Sequence, residues 1–239
     1  MTSNAHETLT LLQYAPCLGL RNASPFCMKG DALLALTGQP YVTEVFADPR
    51  KAPKGKLPVL RHRGKLIADS TFIRRYLEGT LSFDFDAGLS DAERATADAF
   101  VKLCEEHLYW VLFYSRWMEE ANWPAIRDAY FADIPALVRP LITKQIRKAA
   151  FAAMQGHGLG RHTRSRDLRA GCGRPALARA LLGRQALLHG RLPTSADATV
   201  YAWMSSILDA PLESPLKTAA QSHQNLVSYT QRAGQRLFG

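Results

Sequence analysis

The pattern of apolar residues changes period near residue 80, and that change constrains the fold more than any other feature of the chain. Before it, short apolar runs alternate with a helix-length segment; after it, only helical periodicity remains. Leu9-Thr-Leu-Leu-Gln-Tyr14 reads as a buried strand, followed by a loop at Pro16 and Gly19. Ser24-Pro25 opens a helix through about Thr37, closed by Gly38 and Pro40. Tyr41 to Phe46 alternates as a strand. The stretch from Asp48 to Gly55 is a loop or short helix. Leu57 to Leu60 and Leu66 to Ala68 are short strands about a turn at Gly64, and Ser70 to Leu77 is helical. The expected fold is therefore an α+β N-terminal domain (1–79), a linker (80–90) and an all-α helical-bundle C-terminal domain (91–239).

With 239 residues, 47% hydrophobic and 21% charged, the chain can bury one full core or two modest ones, and its composition excludes disorder. No apolar run approaches the ~20 residues of a membrane-spanning helix. The polar start, Met1 to Glu7, does not read as a secretory signal. Cys17, Cys27, Cys104 and Cys172 have neither disulfide-framework density nor zinc-ligand spacing, so free thiols in the cytoplasm are expected, and no metal. The net charge of +9 is uneven: between Lys144 and Arg191 the only acid is Asp167, whereas Leu81 to Thr143 leans acidic. No nucleic-acid motif or aromatic–basic interleaving accompanies the arginines. The stretch reads as a solvated face, meeting its acidic counterpart within the molecule or across a dimer, with neither nucleic acid nor membrane as partner.

Three short motifs in the first 79 residues carry candidate chemistry. Ser24-Pro-Phe-Cys27 is a good N-cap with proline at the first helical position. The same geometry sets a hydroxyl and free amides where the helix dipole favours an anion, such as a thiolate. Leu57-Pro58 biases Leu57 toward extended backbone; a cis bond there would leave the Leu57 N–H and C=O to pair with a peptide-like ligand, and a trans proline on an edge strand is the plain alternative. Asp69-Ser70 caps the next helix, and its hydroxyl and amides could also take a ligand carboxylate.

Taken together with Lys56-Leu-Pro-Val-Leu60 and Ala68-Asp-Ser-Thr-Phe-Ile73, these motifs resemble the glutathione-transferase superfamily over essentially the whole chain. Within it the sequence is most similar to the failed-axon-connections and metaxin-like branch. That likeness extends to Glu106-His-Leu-Tyr-Trp110, Gly156 to His162 and Pro193-Thr-Ser-Ala-Asp-Ala-Thr199, the last holding a Thr194–Asp197 capping box. Ser24-Pro-Phe-Cys27 also looks like a glutaredoxin redox motif whose first cysteine is replaced by serine, which removes the attacking thiol. The resemblance implies a thioredoxin-like first domain and glutathione as co-substrate. Ser24 would hold the glutathione sulfur, the Leu57 backbone beside Pro58 the cysteinyl unit, Asp69 and Ser70 the γ-glutamyl end, and Lys56 the glycyl carboxylate. Tyr14 at the end of the first strand, and then Cys17, are alternatives to Ser24.

His107, Trp110, Tyr114 and Trp117 share one helix face by their spacing. Core packing explains such a stripe. The resemblance sets this helix against the glutathione site, so Trp110 and Tyr114 are also candidates to bind an apolar second substrate, with His157 and His162 at the rim. The expected function is conjugation of glutathione to a small apolar electrophile, a cytoplasmic detoxification chemistry carried by a homodimer. A non-catalytic metaxin-like adaptor, and a glutathione-dependent peroxidase or reductase using Cys27 or Cys17, are the alternatives.

Overall fold

A computed structural model describes residues 8–46, 48–161, 187–190 and 192–239. His162, Cys172 and the arginines from Arg164 to Arg184, with Arg191, fall outside the described residues.

The first half holds β1 (Leu9–Gln13), α1 (Pro25–Leu36), β2 (Tyr41–Val45), β3 (Val59–His62), β4 (Lys65–Ala68) and α2 (Ser70–Leu81). They form one four-stranded sheet in the order β2-β1-β3-β4. β1 and β2 run parallel, which needs a crossover, and α1 supplies it. The β1–β3 and β3–β4 pairs are antiparallel. The tight turn between β3 and β4 uses positive φ at both Arg63 (50°) and Gly64 (73°). Between β2 and β3 the chain makes one 3-10 turn at Pro49–Lys51, capped by Asp48. α1 is buried along most of its length, from Pro25 to Leu34. Gly30 lets it approach the sheet: a Cβ there would lie 3.3 Å from Pro58 Cγ and 3.4 Å from Leu11 Cδ1.

The second half is helical. Ser90 and Glu93 form a capping box that starts α3 (Asp91–Lys102). A π-helical turn at Leu103–Leu108 carries the same rod into α4 (Tyr109–Trp117), and α5 (Trp123–Tyr130) and α6 (Arg139–His157) follow. α7 (Ser195–Leu208) is buried from Ser195 to Ile207, and α8 (Pro215–Gln221) and α9 (Gln224–Phe238) pack around it. The Thr194–Asp197 capping box begins α7. Asp197 is wholly buried; it accepts bonds from Thr194 N (2.9 Å), Thr194 Oγ1 (2.8 Å), Leu188 N (2.9 Å) and Tyr229 Oη (3.0 Å).

One apolar cluster joins the two halves, running from Leu9 and Leu11 on the sheet through Met28 and Leu33 on α1 to Trp203 on α7 and Tyr229 on α9. Two polar ties cross the same boundary. Lys29 Nζ meets Glu105 Oε1 at 2.6 Å, both buried, and Asp86 accepts from Ser195 N at 3.0 Å and from Arg74 Nη2 at 2.7 Å. The architecture is the one the sequence leads one to expect: a mixed sheet with its helices, then a helical unit. Among the described residues no helix is long and apolar enough to cross a membrane.

Candidate functional site

The strand register brings the three motifs to one end of the sheet. Leu12, Val59 and Ala68 form a row across β1, β3 and β4. Just beyond that row lie Tyr14, the Leu57–Pro58 pair, and Asp69 with Ser70. Pro58 touches the next motif directly, its carbonyl accepting from Asp69 N at 3.3 Å. Tyr14 packs on an apolar cluster that includes Cys27 of α1 and Leu57. The N-termini of α1 and α2 are therefore set at the same edge, where their unpaired amides favour an anion.

Ser24 is the N-cap of α1, and its Oγ accepts from Cys27 N at 3.4 Å. Its own N–H donates to Asn22 Oδ1 at 3.0 Å, while Asn22 Nδ2 donates to the Tyr14 carbonyl. One buried amide thus fixes the end of β1 to the cap of α1. The Leu57–Pro58 bond is cis. Among the described residues neither the N–H nor the C=O of Leu57 has a hydrogen-bond partner in the chain. Asp69 sits at φ 83°, an uncommon conformation for a residue with a Cβ, and its carboxylate caps Thr71 N at 2.9 Å. Ser70 is buried, and among the described residues its Oγ has no hydrogen-bond partner. Lys56 is exposed and makes no ion pair among the described residues.

Burial governs the titratable groups here. It pushes the Tyr14 phenol up to about 12, with smaller contributions from Cys27, Tyr109 and Tyr130 nearby. The Cys27 thiol, wholly buried, is also pushed up to about 12, although the Tyr14 backbone and the Ser24 hydroxyl both hydrogen-bond it. Cys17 is raised by burial as well, partly offset by Arg116. Burial therefore disfavours the thiolate form of both cysteines. Tyr14 keeps its proton across the neutral range and stays a donor. Among the described residues there is no group of three or more side chains suited to a metal ion.

The aromatic stripe divides between packing contacts and a cleft. The π turn at Leu103–Leu108 takes His107 out of regular spacing, whereas Trp110, Tyr114 and Trp117 all lie on α4 beyond it. Trp110 stacks on His157 of α6, with ring centres 4.3 Å apart. Tyr114 faces a cleft of about 880 Å³ between α4, α5 and α6, which Ser24, Leu57 and Ser70 do not line. The aromatics at the Ser24 end are Tyr109, whose ring meets Phe26 at 5.1 Å, and Tyr130, whose hydroxyl donates to the Ala23 carbonyl at 3.3 Å. Both lie close enough to Tyr14 to raise its phenol.

Two further residues escaped the sequence reading. Asn22 is one; Arg116 is the other, a buried guanidinium that donates from Nη1 to the Ala23 carbonyl at 2.7 Å. Their partners are distant in sequence or on the backbone, where no residue pattern records them.

The family model described as "Glutathione S-transferase N-terminal domain" matches residues 25–122, and "Glutathione S-transferase, C-terminal domain" matches residues 176–233. The chain is 32% identical over 240 residues to the isoprene-epoxide–glutathione S-transferase of Rhodococcus sp. (strain AD45), covering 94% of this chain and 97% of that protein. It is 24% identical to Failed axon connections of Drosophila melanogaster over 98% of this chain, spanning 60% of that protein's length. Among solved structures, the beta-etherase LigF from Sphingobium sp. strain SYK-6 superposes with a TM-score of 0.60 at 19% identity, covering 96% of each chain.

Proposed function

Because the chain belongs to the glutathione S-transferase superfamily, we propose that it binds glutathione at the Ser24 edge of the sheet and conjugates its sulfur to a small apolar electrophile. The observation that carries this reading is the convergence of Ser24, Leu57 and Ser70 on one sheet edge, each with polar capacity suited to a tripeptide. The Ser24 hydroxyl donates to the sulfur. The unpaired Leu57 N–H and C=O pair with the cysteinyl main chain, and Ser70 with the amino end of α2 takes the γ-glutamyl carboxylate. Lys56 stands ready for the glycyl carboxylate, and Tyr14 offers a second proton to the sulfur.

In the reaction the thiol gives its proton to solvent and the sulfur keeps the electron pair. The thiolate attacks the electrophilic carbon, a C–S bond forms, and the bond to the leaving atom breaks. If the electrophile is an epoxide, the ring C–O bond opens and the alkoxide takes a proton from water. The relative named for isoprene epoxide makes a small epoxide the first electrophile to assay. Tyr109 and Tyr130 form the apolar side of the space. A homodimer working in the reducing cytoplasm completes the proposal.

Turnover of a small epoxide by wild type and Ser24→Ala tests it. A charge-assisted hydrogen bond contributes about 1.5–3 kcal/mol, so the variant should lose roughly tenfold to a hundredfold in rate. Full activity in Ser24→Ala removes that residue from the chemistry. The similarity to Failed axon connections over 98% of this chain favours a second reading, an adaptor that keeps the fold without turnover. Calorimetry separates the two: no heat with millimolar glutathione supports the adaptor.

A further inference from the structure

Tyr14 and Ser24 are separated by residues 15–23, a loop that leaves the sheet and returns to it at the head of α1. The loop folds on itself: Leu20 N donates to the Cys17 carbonyl at 2.9 Å, with both Leu18 (φ 54°) and Gly19 (φ 70°) in the left-handed region. Its other contacts are made elsewhere. Leu20 is buried with Ile126, Ala210 and Leu212 of the helical half. Arg21 donates to Asp31 of α1, from Nε at 3.2 Å and from Nη2 at 3.0 Å. The Ala23 carbonyl accepts from Arg116 and Tyr130. These contacts fasten the loop to the helical half and to α1, not Ser24 to β1.

That link falls to Asn22. The residue is 1% exposed, and both ends of its amide are used on the main chain of Tyr14 and Ser24. Nδ2 donates to the Tyr14 carbonyl, and Oδ1 accepts from Ser24 N at 3.0 Å. The helical bonds of Ser24 stay within the first turn of α1: Cys27 N to Oγ at 3.4 Å, and Met28 N to the carbonyl at 3.0 Å. The Cys27 thiol makes a second tie, being hydrogen-bonded by the Tyr14 backbone and the Ser24 hydroxyl. Sulfur is a weak partner, so the amide is the stronger of the two. A carboxamide offers a donor and an acceptor on one short planar group, so it satisfies a carbonyl and an N–H together; an aspartate would set only oxygens against the Tyr14 carbonyl. Fully satisfied at both ends, such a buried group is rigid.

We propose that Asn22 is a positioning residue for the Ser24 hydroxyl: by tying the cap of α1 to the end of β1, it sets that hydroxyl at hydrogen-bond distance from the glutathione sulfur. The inference rests on the glutathione reading above. On ionisation the S–H proton passes to solvent and the electron pair stays on sulfur. A hydroxyl already held in place stabilises that thiolate without being ordered at the moment of binding. Ser24 makes the contact, and Asn22 acts through it.

The test is a pH titration of the ultraviolet absorbance of the thiolate, for glutathione bound to full-length wild type, Asn22→Ala, Ser24→Ala and the double variant. Ser24→Ala keeps its backbone N–H, so any purely structural loss from Asn22→Ala should be equal in the two backgrounds. The thiol pKa should respond differently. With Ser24 present, Asn22→Ala should raise it by about one pH unit, and in Ser24→Ala by less than about a third of that. Affinity for S-methylglutathione, which cannot ionise, should change little. A thiol pKa unmoved by Asn22→Ala overturns the inference, whatever happens to the melting temperature. So does an equal rise in both backgrounds, which would assign the effect to the loop as a whole, or a loss of affinity for the methylated ligand as large as that for glutathione. Should Asn22→Ala fail to fold, Asn22→Ser is read in the same cycle against the same outcomes; its shorter side chain still accepts from the Ser24 N–H and gives up the Tyr14 carbonyl. Wild type that binds no glutathione sinks the functional reading itself, whereas bound glutathione indifferent to Asn22 sinks only this inference.

Discussion

Side chains held by the fold and side chains held for a ligand respond differently to truncation, and Ser70 separates the cases. Its hydroxyl is buried and has no hydrogen-bond partner among the described residues, so removing it takes away no hydrogen bond among them. Ser70→Ala should melt at the wild-type temperature or slightly above, because an unsatisfied buried hydroxyl costs about 1–3 kcal/mol. Glutathione affinity should fall roughly tenfold, the worth of one charge-assisted hydrogen bond. Melting curves and calorimetry on the same variant check both halves; a marked drop in melting temperature with unchanged affinity would make Ser70 a structural residue. The Ser24 and Asp69 caps were legible in the sequence because capping acts over two or three residues. Asn22 and Arg116 were not. Asn22 reaches back eight residues to a backbone carbonyl, and Arg116 reaches across 93 and 90 residues, distances at which residue type says nothing about partner.

At the level of elements, α1 was readable from its serine cap, its proline and its closing glycine, yet its burial was not. A lysine in mid-helix normally marks the solvent side, whereas Lys29 is 2% exposed and points at Glu105 on the π turn. The pair links the first helix to the helical half through a region where both charges have left water. Lys29→Met removes one partner and leaves Glu105 buried, with only Lys102 at 3.4 Å to replace it. The expected cost is about 3 kcal/mol, and a Lys29→Met/Glu105→Gln double variant should recover a large part of it by removing the stranded charge. Urea titration of the three proteins gives the comparison. A single variant as stable as wild type would mean that Lys102 suffices as the partner of Glu105. The aromatic spacing likewise marks α4 as a helix, whereas which element each ring meets, His157 for Trp110, follows only from packing.

Viewed as a whole, the chain changes secondary-structure class near residue 80 without dividing its core there. Periodicity reveals the first boundary; only tertiary packing reveals whether the second exists. The cluster that begins at Leu9 and Leu11 ends at Tyr229 and Leu237, and α1 is buried against α7. Asp86, between the sheet unit and α3, reinforces this by binding Ser195 at the head of α7 and Arg74 on α2 together. The two halves should therefore unfold in one step. All four tryptophans, at 110, 117, 123 and 203, lie in the helical half; Trp203 also meets Phe26 of α1, so the fluorescence of Trp110, Trp117 and Trp123 is the signal for that half. Amide exchange in β1 and β3 reports the sheet. In urea the two signals should trace the same midpoint. Asp86→Ala should move both together by about 2–4 kcal/mol, because it leaves Arg74 Nη2 and the buried Ser195 donors without their acceptor, Arg74 keeping only Glu78. A sheet that loses protection at a lower denaturant concentration than the tryptophans respond to would mean that the shared cluster is contact without cooperativity, and the site at the sheet edge would then owe its shape to the first half alone.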